Sequence, residues 1–105
     1  MRVIDMSELI CDYERLAGGH FFSKGARKFF RSRLGREAFV VGNLAYFITS
    51  EQFSASTGRT DPRRYTIRAF DYAERAVETI GDFQQYASLS IAKSNLARIL
   101  KEGKK

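Results

Sequence analysis

The stretch RRYTIRAFDYAERAVETIGDF, residues 63–83, contains two extended segments separated by a short polar turn. In the first segment, apolar residues at 65, 67 and 69 alternate with positions that include Arg64 and Arg68. This period of two is typical of a β-strand with one apolar face. The second segment, residues 76–80, follows the turn. The sequence therefore predicts a β-hairpin with one buried face and an outer face that presents guanidinium groups. We expect Phe70 and Tyr72 on that arginine face.

A second hairpin is predicted upstream, from residues 37–41 and 44–53 around the dipeptide Gly42-Asn43. Gly-Asn is a favoured two-residue hairpin loop of type II′ or I′, and such a loop sets the register. It places Val41 opposite Leu44 and Phe39 opposite Tyr46. Both faces of this hairpin are apolar, so we expect it to be covered on both sides, with the N-terminal helices over one of them.

Apolar residues recur at helical spacing between Met6 and Ala17, which predicts an amphipathic helix. Asp5 and Glu8 have the spacing of a capping box at its start, and Gly18 ends it. A second helix is predicted over residues 24–34. A third begins at Ser88 or Ser90 and runs through Glu102, with a buried stripe. That stripe consists of Leu89, Ala92, Leu96, Ile99 and Leu100.

The expected fold class is α+β. It comprises two N-terminal helices, a three- to four-stranded antiparallel sheet, and one C-terminal helix packed on the sheet. A chain of 105 residues is expected to form one domain. We assign residues 1–102 to it and treat residues 103–105 as a disordered basic tail.

The chain carries a net charge of +6 and has a pI near 9.8, which favours polyanionic partners. No apolar run reaches the roughly 18 residues of a membrane span, and the N-terminus does not resemble a signal peptide. The single cysteine, Cys11, excludes an internal disulfide and fits a cytoplasmic setting. Within its helix we expect Cys11 to be buried.

No catalytic, cofactor-binding or metal-binding residue is predicted. His20 and Cys11 are the only residues of their types, so no set with zinc-ligand spacing exists. Phosphate-binding and nucleophile motifs are also missing from the sequence. We therefore expect a non-enzymatic protein.

The candidate binding residues are basic side chains from the predicted second helix, the loop after the first hairpin and the third strand. Arginine contacts phosphate in a bidentate manner and stacks on bases, so such a cluster is typical of nucleic-acid binding. The residues are Lys24, Arg27, Lys28, Arg31, Arg33, Arg36, Arg59, Arg63, Arg64 and Arg68.

The C-terminal half, with Gly81-Asp82-Phe83 followed by Ser88, Ala92 and Leu96, resembles AP2-type and integrase arm-binding domains. Those domains lay a three-stranded sheet in the DNA major groove. The resemblance implies that Arg64, Arg68 and Glu78 lie on the DNA side. The helix–strands–helix order also resembles double-stranded-RNA-binding domains, although their lysine cluster is reduced here to Lys93.

A longer resemblance covers most of the chain, through HFFSKGARKFFRSR, YFITSEQF, RRYTIRAFD and TIGDFQQYAS. These segments resemble a family of small phage and plasmid proteins that has no settled activity. The resemblance implies an accessory role in a mobile element. We expect a basic protein that binds nucleic acid through an arginine-rich helix and strand. The alternative is a phage-encoded inhibitor of a host defence complex, similar to anti-CRISPR proteins, which acts by binding a nucleoprotein or protein. The oligomeric state stays open, and no membrane partner is expected.

Overall fold

A computed structural model describes residues 1–18, 36–51, 63–82 and 85–102. Within these ranges the chain forms five strands and two helices. In chain order they are β1 (Arg2–Asp5), α1 (Met6–Leu16), β2 (Glu37–Val41), β3 (Leu44–Glu51), β4 (Arg64–Asp71), β5 (Ala76–Ile80) and α2 (Leu89–Glu102).

The described strands form one antiparallel sheet in the order β1-β2-β3-β4-β5, so the prediction of three to four strands is wrong. The additional strand is β1, which pairs with β2 from Arg2 opposite Val40 to Asp5 opposite Glu37. Its four residues are too few for a period-two pattern to stand out, and only Ile4 is buried. The prediction of two N-terminal helices is also wrong, because the described residues contain one N-terminal helix, α1. The predicted helix over residues 24–34 lies outside the described ranges.

The β2–β3 hairpin has the predicted register, with Val41 opposite Leu44 and Phe39 opposite Tyr46. Gly42 has a φ of 60°, whereas Asn43 does not have a positive φ. A positive φ at the first loop position alone matches the type II′ alternative, in which glycine avoids the steric cost of that conformation.

The second predicted hairpin is also present, as β4 and β5 with Asp71 opposite Ala76. Its loop is held by the Asp71 carboxylate, which accepts hydrogen bonds from the backbone amides of Ala73 (2.9 Å) and Glu74 (3.1 Å). Arg75 completes the loop with a φ of 58°, an uncommon conformation for a residue with a Cβ. Between the hairpins, β3 and β4 pair along their full lengths, from Leu44–Asp71 to Glu51–Arg64.

Two apolar clusters cover the two faces of this sheet. The α1 face is the one on which Leu9 and Tyr13 pack against Phe47 and Phe70, with the Tyr13 and Phe70 ring centroids 5.4 Å apart. The α2 face carries the second cluster, in which helix residues contact alternate positions of the central strands. Its buried members are Tyr46, Ile48, Ile67, Ala69, Tyr86, Ala92 and Leu96. The expectation that the first hairpin is covered on both sides is therefore confirmed.

The helix ends agree with the sequence predictions in part. Asp5 precedes α1 but makes no side-chain capping hydrogen bond, so the predicted capping box is wrong. Gly18 ends the helix with a φ of 63°. Ser88 caps α2, because its Oγ accepts a hydrogen bond from the amide of Ile91 at 3.2 Å.

Two side chains are more exposed than predicted. Cys11 is exposed, although we expected it to be buried. Leu89 is 42% exposed and does not belong to the buried stripe of α2, which consists of Ala92 and Leu96 with partly buried Ile99 and Leu100. Neither described helix is long and apolar enough to cross a membrane.

Candidate nucleic-acid interface

Arg63 and Arg64 lie side by side where the chain enters β4. Adjacent positions of a strand point to opposite faces, so these two side chains leave the strand on opposite sides. Nη1 of Arg63 donates a 2.7 Å hydrogen bond to Oγ of Ser50 on β3. Nη2 of Arg64 donates a 3.2 Å hydrogen bond to the carbonyl oxygen of Gln85. Both side chains are partly buried and are held at the end of the sheet.

The segment after β5 completes this end of the sheet. Tyr65 pairs with Tyr86 through two backbone hydrogen bonds of 2.8 and 3.1 Å. The side-chain carbonyl of Gln85 accepts a 2.9 Å hydrogen bond from the amide of Asp82. Gly81 has a φ of 81°, which allows the chain to turn away from β5 before it returns. Gln85 therefore anchors this segment and also contacts Arg64.

Arg36 immediately precedes β2, and its side chain is exposed. Its carbonyl oxygen accepts a 3.0 Å hydrogen bond from the amide of Met6 at the start of α1. Strands β2 and β4 are both antiparallel to β3, so they begin at the same end of the sheet. Next-nearest strands are about 10 Å apart. We call Arg36, Arg63 and Arg64 the arginine end.

Arg68 does not lie on an open surface, because it is only 8% exposed. Its Nε donates to Oγ1 of Thr49 at 2.9 Å, and its Nη1 donates to Oγ1 of Thr79 at 3.2 Å. Phe70, on the same face, is fully buried in the α1-side cluster. The expected outer face with Arg68, Phe70 and exposed aromatic rings is therefore wrong. Strand β4 is buried on both faces from Thr66 to Phe70, because each face carries a packed cluster.

The arrangement implied by the AP2-type resemblance is not present either. Glu78 lies opposite Ala69, a member of the α2-side cluster, whereas Arg68 lies opposite Thr79. Residues directly opposite each other in a sheet point to the same face. Glu78 and Arg68 are therefore on different faces, so Arg64, Arg68 and Glu78 cannot form one DNA-facing surface.

The other predicted binding residues, Lys24, Arg27, Lys28, Arg31, Arg33 and Arg59, lie outside the described ranges. The sequence nevertheless divides its charge unevenly. The described ranges contain ten basic and eleven acidic residues, which gives a net charge of −1. Residues 19–35 contain five basic residues and no acidic one. In the sequence, this segment directly precedes Arg36, and residues 52–62 directly precede Arg63.

Sequence reasoning assigned no binding residue to α2, yet the outward side of this helix carries three cations. Lys93, Arg98 and Lys101 are exposed, and Nη2 of Arg98 donates a 2.8 Å hydrogen bond to Oδ1 of Asn95. The helical period that predicted the buried stripe also identifies these outward positions, so the signal was available.

The described residues contain no group of three or more His, Cys, Asp or Glu side chains that could hold a metal ion. The tyrosines show the clearest electrostatic effects. Burial raises the pKa of Tyr46, and the negative charge of Glu78 adds to the effect. Burial also raises the pKa of Tyr72, to about 12, and the hydrogen bond from its hydroxyl to Asp12 contributes.

Comparisons with known proteins give one match. No curated protein and no solved structure matches the chain. The sequence profile of one family, described as a family of unknown function (DUF7447), matches residues 5–97, which is most of the chain. The protein therefore belongs to this family of unknown function.

Proposed function

We propose that this protein is a non-enzymatic nucleic-acid-binding domain whose phosphate contacts centre on the arginine end. The observation that carries the proposal is the position of Arg36, Arg63 and Arg64 at one end of the sheet. In the sequence, the charge-rich segment 19–35 directly precedes Arg36. Guanidinium groups bind phosphate oxygens in a bidentate manner, and clustered cations gain affinity by releasing counterions from nucleic acid.

The packing of the sheet limits how such contacts can form. Both faces of the central strands are covered, so a nucleic acid cannot lie across an open sheet face. A nucleic acid can instead contact the end of the sheet, where Arg63 directly precedes β4 and Arg64 is its first residue. Their hydrogen bonds to Ser50 and Gln85 hold the two side chains before a ligand arrives, which lowers the ordering cost of binding.

The near-neutral charge of the described ranges limits where a polyanion can bind. A net charge of −1 over these ranges gives little general attraction to a polyanion. Asp5, Glu37 and Glu51 lie at the same end as the three arginines, so binding would depend on the guanidinium groups themselves and on the cations that adjoin Arg36 and Arg63 in the sequence. Those cations are the predicted residues Lys24, Arg27, Lys28, Arg31, Arg33 and Arg59.

The test is a binding titration with duplex DNA, single-stranded DNA and RNA at several salt concentrations. The double variant Arg63→Gln/Arg64→Gln is compared with Arg15→Gln/Arg75→Gln, which removes the same charge. Arg75 lies in the β4–β5 loop, at the other end of β4. The Arg15 side chain, which forms an ion pair with Asp12, is 67% exposed, so its replacement should cost little stability.

We expect the wild-type protein to bind at ~50 mM salt, with affinity that falls steeply as salt rises. Each lost phosphate contact should reduce the log–log slope by about 0.9 on duplex DNA or about 0.7 on single strands. The Arg63/Arg64 variant should show this reduction, and the control pair should not. Absence of binding to all three nucleic acids at ~50 mM salt would refute the proposal. A stoichiometric protein partner retained after nuclease treatment would then favour the inhibitor role.

A further inference from the structure

We infer that the outward side of α2 is a second contact surface, one that lies in the major groove of duplex DNA. This inference rests on the proposed nucleic-acid binding and specifies the ligand. We call Lys93, Ser94, Ala97, Arg98 and Lys101 the α2 outer face. All five residues are exposed, while Ala92 and Leu96 on the opposite side are buried against the sheet.

The charge of this surface is its first relevant property. Three cations are spread over a helix of 14 residues, and Glu102 is its one acidic residue. The described ranges as a whole carry net −1, so α2 is a local positive region on a near-neutral scaffold. The positive charge of α2 complements a polyanion. Helix α1 is instead negatively charged, because it contains Glu8, Asp12 and Glu14 and only one cation, Arg15.

The shape of the α2 outer face suits a groove. A helix of 14 residues is about 21 Å long, and a B-form major groove about 12 Å wide admits an α-helix. Ser94 and Ala97 are short side chains between the cations, so the helix backbone can approach the base edges. Lysine and arginine side chains can then reach phosphates on either side of the groove.

Ile91 supplies a separate observation. It is 48% exposed beside the α2 outer face, so its side chain is available for contact. Apolar contact with the methyl group of thymine is a known component of major-groove recognition. The hydroxyl of Ser94, one turn further along the helix, can hydrogen-bond to a neighbouring base.

The start of α2 is also close to the arginine end. Ser88, the cap of α2, is two residues after Tyr86, which pairs with Tyr65 next to Arg64. Two residues of chain span at most about 7 Å. A duplex whose groove holds α2 would therefore meet Arg63 and Arg64 only with the part of its backbone that lies beyond the start of the helix.

The experiment uses full-length protein and compares duplex DNA with duplex RNA of the same sequence. Ala97→Glu places a carboxylate on the α2 outer face, and Ala73→Glu places the same group in the exposed β4–β5 loop. Lys93→Gln/Lys101→Gln removes two cations from the face and is compared with Arg15→Gln/Arg75→Gln. Circular dichroism and thermal melting verify that each variant is folded.

Ala97→Glu should weaken binding to duplex DNA at least about tenfold, because the negative phosphates of the DNA repel a carboxylate in the groove. The affinity of Ala73→Glu for duplex DNA should stay within about twofold of the wild-type value, since its carboxylate lies away from the duplex. The Lys93/Lys101 variant should lower the log–log salt slope by about 1.8, for two lost phosphate contacts. Duplex RNA should bind more weakly than duplex DNA, because its major groove is too narrow to admit a helix.

The outcomes separate this inference from the proposed function. If Ala97→Glu binds DNA like the wild type while Arg63→Gln/Arg64→Gln is weakened, the α2 contact is wrong and the arginine end stands. Equal affinity for duplex RNA overturns the major-groove geometry. If the wild-type protein binds no nucleic acid, both proposals fail.

Discussion

The hydroxyl of Tyr72 donates a 2.8 Å hydrogen bond to Oδ2 of Asp12, which joins the loop after β4 to α1. The two residues are 60 positions apart in the sequence. The Tyr72 amide also donates to the carbonyl of Asn43 at 2.8 Å, and its ring meets that of Phe70 at a centroid distance of 4.9 Å. Tyr72 thus ties α1 and both hairpin loops together at the end of the sheet opposite the arginine end.

Replacement of this tyrosine should affect stability in a pH-dependent manner. Tyr72→Phe retains the ring but loses the hydrogen bond, which should cost about 1 kcal/mol at neutral pH because the pair is partly exposed. Folding raises the Tyr72 pKa from 10.0 to about 12, so the protonated hydroxyl is favoured in the folded state. Its stabilisation is fully present below pH 10 and is lost as the pH rises towards 12.

Urea denaturation from pH 8 to pH 11.5 measures this effect. The difference in unfolding free energy between wild type and Tyr72→Phe should shrink above pH 10. Tyr46 also has a raised pKa, but it is present in both proteins and its contribution cancels. A difference that stays constant across this range would contradict the proposed role of the hydroxyl.

Phe47 and Ile67 are completely buried on opposite faces of the central strands. Phe47→Ala should cost roughly 3–5 kcal/mol, and Ile67→Ala roughly 2–5 kcal/mol, because each leaves a cavity in a packed cluster. Val3→Ala, at a side chain that is 47% exposed, should change the stability by less than about 1 kcal/mol. Chemical denaturation tests all three. A near-neutral effect at either buried position would mean that its face is not packed as described.

Arg75 adopts a φ of 58° in the β4–β5 loop. This conformation costs a residue with a Cβ about 1–2 kcal/mol, and glycine avoids that cost at a smaller entropic penalty. Arg75→Gly should therefore raise the unfolding free energy by about 0.5–1 kcal/mol. Arg75→Ala serves as the control, since it removes the same side chain but retains the strain. If Arg75→Gly is no more stable than Arg75→Ala, the loop conformation is not strained in solution.

Asp5 and Glu37 lie directly opposite each other on β1 and β2, and both are exposed. Like charges in directly opposed positions destabilise a sheet, whereas opposite charges contribute roughly 0.2–1 kcal/mol. Glu37→Lys should therefore stabilise the protein, and the gain should shrink at high salt because exposed charges are screened. Glu14→Lys, which makes the same charge change on α1, separates the pairwise effect from the change in net charge. An equal gain in both variants would rule out the cross-strand explanation.

The thiol of Cys11 is exposed on α1. In the folded protein it should react with a chromogenic disulfide reagent at nearly the rate of a small-molecule thiol, since no packing shields it. The rate should change little when the protein is unfolded in urea. Protection of the thiol until unfolding would instead agree with the sequence interpretation that placed it in the core.

The features that could be predicted from the sequence are those determined by residues a few positions apart. The Gly42-Asn43 loop sets the β2–β3 register through its own backbone preference. The alternation from Tyr65 to Ala69 predicts β4, and Ser88 caps the helix that follows it. Backbone conformation and short hydrogen bonds specify these elements wherever they lie in the fold.

The candidate site could be predicted only in part. Arg63 directly precedes β4 and Arg64 is its first residue, so the period-two pattern, which is a local signal, places both at the sheet end. That pattern could not reveal that the face of Arg68 is packed, since Phe70 on that face meets Tyr13 from a helix more than 50 residues earlier. The three cations of α2 could be predicted to lie outward, because the apolar stripe of the helix identifies the side that packs on the sheet.

The sequence alone thus determined the two hairpins, the ends of the C-terminal helix and the uneven distribution of charge along the chain. Only the tertiary structure decided that Arg2–Asp5 joins the sheet and that β4 is buried on both faces. It also decided that α1 and α2 lie on opposite sides of the sheet. The physical reason is that burial of a side chain depends on distant segments that pack over it, whereas turns, caps and periodicity depend on the chain's immediate neighbours.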